Sequence, residues 1–394
     1  MSILKRPPGD AFSFRLFYQL INKIKRAKNY FYVWSAVLSP NYRYFYHKGE
    51  DLIEETETYY SSAIANGITE DLVVLGIKDH LSVDDFNPWT KAQPTTVEYL
   101  SLMFDWYKDT HFILLTSVEN LEYYIKHTNV DIVPWGGDIV NHQAEYKTLE
   151  PVLDKNFDST HTYISLNRNY RAHRVLLLPL LYGLGLGDKG LVSCMFKNNL
   201  GYPRDIIVWQ FGSEQQHIQD LIDCGYKEFM STDLLLKDSP EIYVNGNNDN
   251  VSNFKNKLKA YYQNTFVEIV SETSFTERAY LLTEKTLNSI YGCNFPIILC
   301  GRGAVAQLRA MGFDMFDDVI DHSYDLMENP VDRLYHAIAD NIEILTDNTL
   351  AKQLWTTHRQ RFINNVSVAR NDMYKYYTAR ATEKFQQVID ANKY

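Results

Sequence analysis

Short apolar runs and longer stretches with apolar positions three and four residues apart take turns along this chain. The first spacing fits strands buried on both faces and the second fits amphipathic helices. Their alternation marks a parallel sheet covered on both sides. In the first half, strands are expected at 31–38, 71–77 (DLVVLGI), 111–117 (HFILLTS) and 130–134, with helices at 12–27, 51–66, 95–108 and 118–127. Residues 139–160 are polar, lack a clear period and read as a linker. A second alternation follows, with strands at 160–166, 191–196, 266–270 and 295–300 and helices at 171–182, 251–262, 282–291 and 304–311. Residues 204–250 are less regular, and 330–389 are almost wholly helical. The expected fold class is α/β: two Rossmann-like lobes facing a cleft, with a helical C-terminal tail. The expected domains are 1–150, 151–348 and 349–394.

Composition supports this frame. The chain has 394 residues, 45% of them hydrophobic and 22% charged, enough for two cores and too apolar for extended disorder. The net charge of −10 argues against a duplex-binding protein. The first fifty residues depart from it: Lys5, Arg6, Arg15, Lys23, Lys25, Arg26, Lys28, Arg43 and Lys48 face only Asp10 and Glu50. That patch is either a solvated helix face or a contact for a polyanion. The four cysteines form no CxxC pair, which excludes the usual zinc spacing and fits a reducing compartment. No apolar stretch is long enough to span a bilayer, so no membrane insertion is expected and a cytoplasmic location is.

Two segments carry the candidate chemistry. The first is 265–318, in which the strand FVEIV delivers Ser271, Glu272 and Thr273 at its C-terminal end, where open α/β sheets offer ligand contacts. A loop with Arg278 leads to Thr283, Glu284 and Lys285 at a helix start. Backbone N–H groups there, with Arg278 and Lys285, suit an anion, and Glu272 or Glu284 suits paired hydroxyls. Routine helix capping with a surface ion pair explains the same pattern. The second segment is 162–174 (TYISLNRNYRAHR), where Asn167, Arg168, Arg171 and Arg174 gather at a strand-to-helix corner. Guanidinium forks at such a corner match a diphosphate, and solvated arginines at a helix cap are the plainer alternative.

The first segment resembles the donor-binding motif of the α1,3-fucosyltransferase family. That family carries a strand ending in Glu-Asn, a short loop, a Thr-Glu-Lys helix start, a small-residue turn and a Pro-containing strand. Here the corresponding residues are Glu272-Thr273, Thr283 to Lys285 and the strand 295–299, with Thr273 standing where the family has Asn. The run GAVAQLRAMGFDMFDD at 303–318 also looks like the segment that follows this motif in phage and bacterial relatives. The resemblance implies a GT-B-type glycosyltransferase that uses a nucleoside-diphosphate sugar as co-substrate and no further cofactor. It implies that Glu272 and Glu284 hold donor hydroxyls and Lys285 a phosphate.

The first lobe is then expected to serve the hydroxyl acceptor, a glycan or a hydroxymethylated DNA base. After the strand at 130–134 come Trp135, Gly136, Gly137 and Asp138, with Trp135 suited to stacking and Asp138 to taking a proton. Asp79-His80 is a second candidate pair. The chain has no Asp-x-Asp triplet, no GxxxxGK[ST] and no GxSxG, and the GxGxxG at 185–190 precedes its strand and opens no helix. Metal-independent transfer is the resulting expectation. A catalytically inactive α/β binding module is the rival reading.

Overall fold

The computed structural model describes residues 29–33, 44–48, 51–55, 72–77, 100–101, 104–105, 107–167, 171–194, 216–232, 254–275 and 278–392. The chain is α/β with parallel sheets and forms two compact units. One comprises residues 1–141, 277–281 and 374–394; the other comprises 142–276 and 282–373.

The first unit holds a six-stranded sheet. Its strands are β1 (Asn29–Val33), β2 (Tyr44–Lys48), β3 (Asp51–Glu55), β4 (Leu72–Ile77), β5 (His111–Thr116) and β6 (Val130–Pro134), in the order β3-β2-β1-β4-β5-β6. β1, β4, β5 and β6 run parallel, while β2 and β3 add an antiparallel edge. Phe112 to Leu115 of β5 are wholly buried, as their unbroken apolar run foretells. The helix expected at 51–66 is replaced over its first five residues by β3, an edge strand whose polar residues do not need a covered face. The helix expected at 118–127 shrinks to a 3₁₀ turn at Leu121–Tyr123, because the chain turns at Asn120 with φ 58°.

The second unit holds a four-stranded parallel sheet of β7 (Tyr163–Asn167), β8 (Gly190–Cys194), β9 (Val267–Ser271) and β10 (Phe295–Leu299), in the order β10-β9-β7-β8. The polar segment 139–160 is not a bare linker. α1 (Gly137–Tyr146) occupies its start, with Ile139, Val140, Gln143 and Tyr146 buried at helical spacing. The polar Gln143 inside that stripe hides the period; its side-chain amide nitrogen Nε2 donates to the Arg370 carbonyl at 3.1 Å. Lys155, in the same segment, is buried, and its Nζ donates to the carbonyls of Tyr262 (2.7 Å), Gly292 (2.8 Å) and Thr265 (2.9 Å). Burial pushes this ammonium down to about 7.

α2 (Ala172–Gly183) follows β7. It packs on α3 (Gln216–Ser231), a helix in the stretch that reads as irregular. Its apolar stripe of Ile218, Ile222 and Phe229 is interrupted by Gly225, ordinarily a helix breaker. The glycine is required by proximity: a Cβ there would lie 2.0 Å from the Pro179 carbonyl oxygen of α2. α4 (Lys259–Gln263) leads into β9, α5 (Glu284–Gly292) joins β9 to β10, and α6 (Ala304–Ala310) follows β10. The helical tail consists of α7 (Pro330–Ala339), α8 (Ile342–Thr346), α9 (Asn348–Asn371) and α10 (Met373–Asn392), and α10 belongs to the first unit from Tyr374 onward. Among the described residues no helix is long and apolar enough to cross a membrane.

Candidate functional site

In the second sheet β7 is followed by β8 on one side, and the chain then returns to β9 and β10 on the other. Ligands of open parallel sheets bind outside the C-terminal strand ends at such a reversal. The register opens at that point. β7 pairs with β8 and β9 with β10 over five residues each, but β7 meets β9 only at Tyr163↔Val267 and Ile164↔Glu268. Asn167 and Ser271 lie beyond the last registered pair of these two strands. Both residues are buried, and among the described residues neither Asn167 Oδ1 nor Ser271 Oγ has a hydrogen-bond partner. The rest of Asn167 is fixed: its N–H donates to Ser193 Oγ and its Nδ2 to Ser165 Oγ, each at 3.0 Å. Leaving a buried polar atom unmatched costs about 1–3 kcal/mol, and two occur at one corner.

The start of α2 closes this corner. Arg171 is the N-cap residue, with extended backbone and no side-chain cap. Arg174 Nη2 donates to the carbonyls of Ser271 (2.7 Å) and Glu272 (3.1 Å), and His173 Nε2 lies 3.0 Å from the Glu272 carbonyl. That contact places the imidazole proton on Nε2, since a carbonyl only accepts. Burial, then the charges of Arg174 and Arg171, hold His173 well below the usual histidine range, so the ring is neutral. It stacks on Phe275 at 5.1 Å. Arg333 of α7 reaches the same loop: it donates to the Phe275 carbonyl and, at 2.8 Å, to the Met327 carbonyl, and its guanidinium lies 4.6 Å from the Phe275 ring. It is buried and, among the described residues, has no carboxylate partner; burial lowers it to about 10. The corner is therefore cationic, with two of its three guanidinium-bearing residues, Arg174 and Arg333, buried.

The start of α5 has the opposite character. Glu272 is wholly buried. Its Oε1 accepts from the N–H groups of Thr283 (3.0 Å) and Thr286 (3.3 Å) and from Thr286 Oγ1 (2.7 Å), and its Oε2 accepts from Thr283 Oγ1 (2.6 Å). Lys285 Nζ lies 3.8 Å from Oε2 and donates to Thr283 Oγ1 (2.9 Å) and Glu284 Oε1 (3.2 Å). The anion expected at this helix start is the chain's own carboxylate. Glu272 consequently positions α5 on β9, and its side chain is not available as the holder of donor hydroxyls. Thr283 is the N-cap residue, and Glu284 and Lys285 remain partly exposed in the first turn.

Arg278 does not join this network. It belongs to the first unit, where it is exposed, lies 4.9 Å over the Tyr123 ring and donates its N–H to Tyr124 Oη at 3.1 Å. Trp135 is also displaced from its expected role: its ring is 1% exposed and offers no face for stacking. Gly136 beside it has φ 61°, and a Cβ there would lie 2.3 Å from the Tyr377 ring. Asp138 falls in the first turn of α1, at the edge of the first unit. Arg168, the pair Asp79-His80 and the basic residues from Lys5 to Arg43 lie outside the described residues.

Sequence reasoning passes over Arg333, although a signal exists: Arg333 sits four residues before Ala337, inside the apolar stripe of α7. An arginine in such a stripe is buried for a reason other than solubility. Among the described residues no three His, Cys, Asp or Glu side chains are grouped to hold a metal ion. Comparison with protein-family models, with curated proteins and with solved structures gave no match.

Proposed function

We propose that this chain is a glycosyltransferase that moves a sugar from a nucleoside-diphosphate sugar to a hydroxyl acceptor, with the donor at the β7/β9 reversal. One observation carries the reading. Beyond the last registered pair of two parallel strands, buried Asn167 Oδ1 and Ser271 Oγ are unmatched beside a cationic helix start. A sugar nucleotide supplies hydroxyls for those two oxygens and a diphosphate for the cations. In this reading Arg171 and Arg168 bind the diphosphate, with Arg174 holding the end of β9 in place and Lys285 adding charge from α5. Glu272 and Thr283 act as positioning residues. The anomeric carbon–diphosphate oxygen bond breaks, the acceptor oxygen bonds that carbon, and the acceptor proton passes to a base. Charge builds on the departing diphosphate, where fixed cations stabilise it most. Asp138 is the residue to test as base, and the first unit is assigned the acceptor in a GT-B-type arrangement. The absence of an Asp-x-Asp triplet supports metal independence.

The deciding experiment is a thermal-shift panel of nucleoside diphosphates and their sugars, followed by assay of released nucleoside diphosphate. A ligand at a hundred times its dissociation constant stabilises by about 2.7 kcal/mol. Stabilisation together with slow donor hydrolysis is the expected result. Stabilisation with no release identifies an inactive binding module, and neither effect removes the reading altogether. The alternative of a hydroxymethylated DNA base as acceptor loses the stacking contact expected of Trp135, which is buried.

A further inference from the structure

Arg333 of α7 joins two segments that follow strands of the second sheet. One is 272–275, which leaves β9, and the other is the turn Ser323–Leu326 with Met327 after it. That turn is tied to the end of β10. The Gly303 N–H donates to the Asp325 carbonyl at 3.1 Å, and the Asp325 carboxyl accepts from the N–H groups of Val305 and Ala306 at the start of α6, each at 3.2 Å. Arg333 donates through Nη1 to the Met327 carbonyl at 2.8 Å and through Nη2 to the Phe275 carbonyl. It is buried, and among the described residues its Nε has no partner. The Phe275 ring carries the contact onward: the guanidinium lies 4.6 Å from its centroid, and the His173 imidazole stacks on it at 5.1 Å. His173 Nε2 and Arg174 Nη2 both reach the Glu272 carbonyl, at 3.0 and 3.1 Å. The segment after β9 is thus held by α2 and by α7.

A buried guanidinium bonded to carbonyls is a poor source of stability, because taking its charge out of water is costly. What it supplies is direction. Its donors form a planar fork of fixed geometry, so its two bonds set the spacing of the segments they join. An alkyl side chain would fill the same space without that constraint. We propose that Arg333 is a positioning residue of the donor corner: through Phe275 it fixes the segment 271–275 against α2, and so sets His173 and the α2 start toward a diphosphate. The proposal rests on the nucleotide-sugar reading of that corner. Arg174 and Arg171 on α2 and Arg333 on α7 are the charges that face the imidazole.

The test uses the full chain and two readouts. The first is the NMR signature of the His173 ring, assigned by its loss in His173→Gln and followed from about pH 8 to pH 5. The second is the affinity for uridine diphosphate and for guanosine diphosphate, each alone, from thermal shift. In the parent the ring is expected to stay neutral with its proton on Nε2. Arg333→Met keeps an unbranched side chain and removes both donors. It is expected to let the imidazole titrate within that range and to weaken diphosphate binding about tenfold. Arg333→Lys, which keeps the charge and a donor, is expected to recover the neutral ring and part of the affinity. An arginine with a merely structural role would lower the denaturation midpoint and leave the ring and the affinity as in the parent; either readout unchanged in Arg333→Met overturns the proposal. Should Arg333→Met fail to fold, Phe275→Leu cuts the path from Arg333 to His173 with an apolar side chain, and an unchanged His173 signature there overturns it equally. A parent that binds neither diphosphate removes the nucleotide reading, and the His173 signature then decides alone whether Arg333 sets the segment.

Discussion

Two helices of the second unit begin beside the C-terminal end of β9, and they treat their N-termini differently. α5 is closed by an internal anion: Glu272 takes two backbone N–H groups and two threonine hydroxyls. α2 begins with Arg171, His173 and Arg174 and has no side-chain cap, next to Asn167 Oδ1 and Ser271 Oγ, which lack partners among the described residues. A helix start is a ready anion site by its dipole and its unmatched donors. The comparison shows that such a site can be spent on stability. The Thr-Glu-Lys start is closed from within by Glu272, and the arginine corner, which reads in sequence as a diphosphate site or a solvated cap, is the one with unmet hydrogen-bonding needs.

The largest effect that would break this contrast is expected at Glu272. Replacing it by alanine strands two buried N–H groups and two hydroxyls, for a loss on the order of 3 kcal/mol in urea denaturation. An unaltered denaturation curve would free Glu272 for ligand contact and erase the distinction. Arg171→Ala sharpens the contrast from the other side. Turnover is expected to drop about 10²–10³-fold, as when a fixed transition-state donor is removed, while stability stays within about 0.5 kcal/mol of the parent. Retained turnover in steady-state assay would move the diphosphate away from α2.

Ser271→Ala is expected to be smaller and of opposite sign in the two measurements. Removing a buried hydroxyl that lacks a partner leaves the ligand-free protein unchanged or more stable by about 1 kcal/mol, yet weakens nucleotide-sugar stabilisation in the thermal-shift panel. Loss of ligand-free stability instead would show that the hydroxyl is satisfied internally. The smallest effect concerns pH. Burial keeps His173 neutral in the folded state well below the ordinary histidine range, while the unfolded chain binds that proton at about 6.5. Stability from this residue is therefore present above that pH and is lost as pH falls below it. In His173→Gln this part of the acid slope is expected to vanish, as read from denaturation midpoints between neutral pH and pH 5.

Much of the scaffold was legible from spacing. Four apolar residues in a row at β5 and five at β10 need no tertiary information to be read as strands buried on both faces. The start of α5 at Thr283 was legible as well, because a threonine cap is a local signal, and here its Oγ1 accepts from the Lys285 N–H. Where long polar side chains were going was not legible. Lys155 sits in a segment without periodicity and ends among three carbonyls from residues more than a hundred positions away. Glu119 meets Arg380 across 261 residues.

The alternation of strands and helices, the local caps and the positions of charge follow from residue order alone. Periodicity reports which face of an element is covered, so it is sufficient for those. That Glu272 closes a helix, that Arg278 stacks on Tyr123 and that Arg333 is buried beside Phe275 emerges only on folding. The reason is physical. A charged group's role is set by its partners and its access to water, and both are fixed by residues that only the folded chain brings within hydrogen-bond range.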